Sequence, residues 1–136
     1  MLRPTLDEVF ANVIASVDDI IKPDVRDPYA SSIVLTVSNL LRHLRARAAH
    51  EPEALWHDNR DLRALLGELG VATPAAPDPS QYPSLALLVE EAVALRAVLD
   101  EYVGAHPGDE RVRSYLGRQL HRQRPWMVEA WEGPRR

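Results

Sequence analysis

The sequence predicts an all-α protein: an up-and-down helical bundle of four long helices plus a shorter C-terminal helical segment. Three observations carry this. Apolar residues recur at spacings of three and four through most of the chain. Helix-capping residues stand just ahead of those runs. Ala and Leu, both strong helix formers, dominate, and no stretch alternates apolar and polar as a half-buried strand would. The 136 residues, 46% of them hydrophobic and 26% charged, suit a single bundle domain over residues 1–136.

The first helix starts at Thr5. Thr5 and Glu8 form the S/T-x-x-E pattern in which each side chain satisfies a free backbone N–H. Leu6, Val9, Phe10, Val13, Ile14, Val17, Ile20 and Ile21 then mark one helical face, and Lys22-Pro23-Asp24 ends the run. The second helix takes Asp27 as N-cap and Pro28 at N1, where a missing N–H costs nothing. Its expected core stripe is Ala30, Ile33, Val34, Val37, Leu40, Leu41 and Leu44. Pro52 is expected to break the ladder, so a third helix begins near Glu51-Pro52 and ends at Gly67 or Gly70, with Asp58 as an alternative start. It turns Leu55 or Trp56, Leu62, Leu65, Leu66 and Leu69 inward.

Residues 70–83 carry several prolines and form an extended connection. The fourth helix runs from about Ser84 to Val103, with a heptad seam of Leu85, Leu88, Ala92, Leu95, Leu99 and Tyr102. Leu87, Val89, Val93, Ala94, Ala97 and Val98 cover its other faces, so it lies either at the centre of the monomer or against another subunit. Asp109 caps the last helix, which carries Val112, Tyr115, Leu116 and Leu120 until Pro125 interrupts it. Trp126 and Trp131 in the tail each gain by burial.

Composition excludes several kinds of chemistry. The net charge of −4 is wrong for a general nucleic-acid binder. The absence of Cys removes disulfides, thiolate metal sites and thiol nucleophiles. The opening MLRPTLDEVF lacks the pattern of a signal peptide, and no run is long and apolar enough to span a membrane, so a cytoplasmic location is expected. Phosphate-loop, dinucleotide and nucleophile-elbow motifs are missing, and no cofactor is expected.

His43, His50 and His57 repeat every seven residues and invite a reading as metal ligands. Seven helical residues rise roughly 10 Å, too far for one ion to join neighbours at bond lengths near 2 Å. Glu53, His57 and Asp61 fall on one face and read as an exposed i, i+4 charge ladder. Two basic clusters, Arg42, His43, Arg45, Arg47 and His50, then Arg118, His121, Arg122 and Arg124, are placed at helix C-termini, where cations complement the dipole. Were an inter-helical pocket present, its lining would be Arg42, His43, Trp56, His57 and Asn59, suited to an acyl or phosphorylated ligand. For a helix–helix interface the candidates are Leu35 and Asn39 on the second helix, Val89 and Val93 on the fourth, and Trp126 and Trp131 in the tail.

The stretch LWHDNRDLRALLGEL, following the opening RPTLDEVFANVIASV, resembles a group of small all-helical bacterial proteins. In that group an N-R-x-L segment, here Asn59-Arg60-Asp61-Leu62, follows two long helices. Such proteins tend to be encoded beside aminoglycoside-phosphotransferase-like or acyl-CoA-dehydrogenase genes. The resemblance covers about the first half of the chain. It implies an accessory role beside a metabolic enzyme, and it transfers no catalytic residue. The expectation is therefore a non-enzymatic, self-associating helical protein, a homodimer with a possible metabolic-enzyme partner and neither nucleic acid nor membrane. The alternative is a small-molecule binder or enzyme with a pocket between helices.

Overall fold

The computed structural model describes residues 3–78 and 83–131, with side chains described as far as residue 127. The fold is all-α, and no strand occurs among the described residues. The first helix covers 6–24 in three stretches: α1, Leu6–Ala15; a π-helical stretch, Ser16–Ile21; and α2, Lys22–Asp24. Thr5 caps it as the sequence predicts, accepting from the Glu8 N–H while Glu8 accepts from the Thr5 N–H. The wide turn stands directly before Pro23, whose ring would crowd the carbonyl four residues back in a regular helix.

Helix α3, Pro28–Glu68, is one element where two were expected. Asp27 accepts from the Ala30 N–H at its start. Pro52 lies inside it without ending it. The ladder loses one hydrogen bond there, and contacts on both sides of Pro52 hold the helix together. Gly70, at φ +71°, closes it: the Gly70 N–H donates to the Gly67 carbonyl and the Val71 N–H to the Leu66 carbonyl. Helix α4, Leu85–Ala105, is capped by Ser84, and α5 runs Glu110–Trp131 straight through Pro125, so the expected interruption is absent.

Because both helices continue, the basic clusters are not at helix C-termini. The dipole account of them fails, and Arg42, Arg45, Arg118 and Arg122 are held by carboxylates instead.

The chain divides into two compact units. The first comprises residues 1–50 and 124–136, the second residues 51–123. In the second, Leu62, Leu65 and Leu66 of α3, Leu95 and Leu99 of α4, and Val112 and Tyr115 of α5 form a closed core. Leu69, Val71, Val98 and Tyr102 pack against it. The predicted α4 seam is largely correct: Leu88, Ala92, Leu95 and Leu99 are buried. Its second face is not covered within the chain, since Leu87, Val89 and Val93 are exposed.

The first unit is built differently. Its buried apolar side chains among the described residues are Ile14, Val17, Ala46 and Trp126. The expected core stripes of the first two predicted helices are split: Ile14 and Val17 are buried, Phe10, Ala30, Val34 and Leu41 are half-buried, and the rest face outward. Leu6, Val9, Val13, Ile20, Ile33, Val37, Leu40 and Leu44 are each between 41% and 67% exposed.

Candidate functional site

The first unit is an antiparallel pairing with polar groups on its inner face. Asp18, from the π-helical stretch, reaches Ser38 and Arg42 of α3; Asp7, a helical turn or more earlier, reaches Arg45. Ser38 is fully buried. Its hydroxyl donates to Asp18 Oδ1 at 2.7 Å and accepts from Arg42 Nη1 at 2.5 Å. Arg42 also pairs with the second oxygen of Asp18. Arg45 holds both oxygens of Asp7, at 2.6 and 2.7 Å. The Asp18 carboxyl is held below its ordinary range: burial opposes ionisation, and the Ser38 and Arg42 bonds outweigh it. Serine, aspartate and arginine thus share the inside of this unit with Ile14 and Val17, while most of the other aliphatic residues of the predicted stripes face out.

In the second unit the α3 segment around the N-R-x-L motif acts as a clamp. Asp58 is buried, and its carboxylate accepts from Tyr115 Oη at 3.1 Å, Gln119 Nε2 at 3.1 Å, Arg96 Nη2 at 3.3 Å and Arg122 Nη1 at 2.8 Å. Three of these donors converge on Oδ2 and Arg122 takes Oδ1, so one carboxylate ties α3 to both α4 and α5. Asp61 takes Arg118 at 2.8 and 2.9 Å and Arg122 at 2.6 Å. The Arg118 hydrogen bonds, with those of Arg122, hold its carboxyl below the usual range. Burial and the neighbouring Asp58 carboxylate push the Tyr115 phenol well above its ordinary value, so this hydroxyl stays a donor. On the flank toward α4, Asn59 Nδ2 donates to the Leu88 carbonyl at 2.9 Å and to Glu91 at 3.1 Å. Arg63 ties Glu91 to the carbonyls of Pro74 and Ala75.

The predicted pocket residues therefore separate into different roles. Arg42 is in the polar seam of the first unit, with the half-buried His43 next to it. Asn59 is buried and has both amide hydrogens engaged. Trp56 and His57 are exposed, with rings edge to face at 4.8 Å, and the Arg60 guanidinium stands 4.6 Å above the Trp56 ring. His57 pairs with Glu53 at 3.8 Å, the first rung of the predicted ladder, whereas Asp61 leaves that ladder for α5. The three histidines do share one helix, contrary to the expected break. No group of three or more metal-ligating side chains occurs among the described residues.

Of the predicted interface residues, Leu35, Val89 and Val93 are exposed, Asn39 is half-buried and Trp126 is buried. The Trp131 side chain lies outside the described residues. Ala46, about two helical turns beyond Asn39 on α3, is 2% exposed, so this side of the helix turns partly inward. A cleft of about 450 Å³ in the first unit is lined by Asp7, Arg42, Arg45, Ala46 and His50 among others, and both arginines are already ion-paired. No helix among the described residues is long and apolar enough to cross a membrane.

No protein-family model matches the chain, and no curated protein or solved structure matches it either.

Sequence reasoning missed the Asp18–Ser38–Arg42 seam and the Asp58 cluster. The first had a faint signal: Ser38 and Arg42 share a helical face four residues apart, opposite the apolar stripe. The second had none, because the donors to Asp58 lie 38 to 64 residues away along the chain.

Proposed function

We propose that this chain is a self-associating helical protein that works through an exposed apolar helix face, as an accessory to a metabolic enzyme. One observation carries the reading: the first unit keeps a serine, an aspartate and an arginine in its seam and presents its large aliphatic residues to water. An apolar surface of this extent on a helical face is a feature of association sites. The polar clusters favour the same reading. Asp58 and Asp61 are spent on side chains of α4 and α5, and Asn59 and Arg63 on Glu91 and main-chain carbonyls, as structural clamps are. The accessory role rests on the resemblance of the Asn59–Leu62 segment and its surroundings.

Native mass spectrometry of the purified chain tests this. A dimer without adduct is the expected result. A monomer retaining a small acyl or phosphorylated molecule would overturn the reading in favour of a ligand-binding protein. The observation favouring that alternative is the cleft beside Arg42, Arg45 and His50.

A further inference from the structure

We infer that the partner on the apolar face is a second copy of this chain, docked hairpin to hairpin through the first helix and the first half of α3. The inference rests on the self-association reading and assigns it a surface.

Asp7 and Asp18 mark the face that the first helix turns toward α3, and Ser38, Arg42 and Arg45 mark the answering face. The partners run in opposite numerical order, so the helices are antiparallel. On both helices exposed apolar residues stand one residue before contact residues: Leu6 before Asp7, Val37 before Ser38, Leu44 before Arg45. One residue is a turn of about 100°. The offset has the same rotational sense on both helices. In an antiparallel pair, equal rotations bring both stripes to the same side, so they form one continuous face of the hairpin.

That face has the periodicity of a helix-packing seam. Ile33, Val37, Leu40 and Leu44 follow the 4-3-4 spacing of coiled-coil core positions, and Leu6, Val9 and Val13 follow 3-4. None of these seven positions carries a charge, and Arg47, the next position of the α3 series, closes the aliphatic run at that end. A uniform aliphatic seam is self-complementary, as a two-fold interface requires. Two such hairpins complete a four-helix layer.

The area agrees. The exposed apolar side chains of the two stripes, with Tyr29, present on the order of the 800 Å² that each partner buries in a standard stable interface. Among the described residues, the buried apolar side chains of the first unit are Ile14, Val17, Ala46 and Trp126, and none of them belongs to the exposed stripes.

The test compares the full-length chain with Leu40→Glu, Val13→Glu and Val93→Glu by native mass spectrometry and sedimentation across a concentration series, with circular dichroism as the check on folding. Leu40, Val13 and Val93 are exposed, so none of the substitutions enters the core of the chain itself. The expected result is a dimeric parent, unchanged by Val93→Glu on α4, and a dissociation constant raised on the order of 100-fold or more by either Leu40→Glu or Val13→Glu with helicity retained. If Leu40→Glu loses helicity, Val13→Glu gives the decision alone. A dimer abolished by Val93→Glu and untouched by the other two would overturn this surface and leave self-association standing. A parent that stays monomeric throughout would overturn both.

Discussion

Asp58 is the residue on which the second unit turns. Its carboxylate binds side chains from α4 and α5 at once, and two of the four donors are guanidinium groups. Asp58→Asn keeps the shape but removes the charge and exchanges an acceptor for a donor facing Arg122. A loss of about 2–4 kcal/mol is expected in urea unfolding, the range for breaking a buried ion pair while its partner stays in place. Asp61 gives a pH test. Its carboxyl is depressed in the folded chain, so its contribution is present above the ordinary carboxylate range and is lost as pH falls through the folded value. The stability gap between the parent and Asp61→Asn should be full at pH 7 and shrink from about pH 4 downward. The sequence marked out Asn59–Leu62 as notable but not its use. A carboxylate on a helix looks the same whether it meets water or an arginine sixty residues away.

At the level of elements, what is local was legible and what is distant was not. The Thr5–Glu8 cap, the Asp27 cap, the start of α4 near Ser84 and most of the α4 seam follow from residues within a turn or two, and they occur. The two interior prolines were misread because propensity treats a helix as if it stood alone. Pro52 and Pro125 are tolerated in helices whose flanks are fixed by tertiary contacts. The strain should still be measurable. Pro52→Ala restores a hydrogen bond and removes a steric clash, so thermal or urea unfolding should show a gain of about 1–3 kcal/mol. No change would mean that the turn around residue 52 is already relaxed by other means.

Across the whole molecule, the apolar stripes of the first two predicted helices divide: Ile14 and Val17 turn inward as expected, whereas Leu6, Val13, Val37 and Leu40 face water. Periodicity identifies a face that must leave water; it does not say which chain covers it. Residues 51–123 close a core of their own, whereas the first unit, among the described residues, buries Ile14, Val17, Ala46 and Trp126. Native-state hydrogen exchange should therefore separate the amides into two sets. Those of Leu62, Leu66, Leu95, Leu99 and Tyr115 should be the slowest and independent of protein concentration. Those of Val13, Val37 and Leu40 should exchange faster and slow down as concentration rises. One common rate at every concentration would contradict both the division into units and the paired surface.

The interrupted sequence of the first unit also bears on the order in which the chain leaves the ribosome. The hairpin of α1 and early α3 is synthesised first, with its aliphatic residues facing out and Trp126 still unmade. The first unit therefore gains Trp126 only once α5 has been made, so its two arms, distant in sequence, must wait for the unit between them to be synthesised.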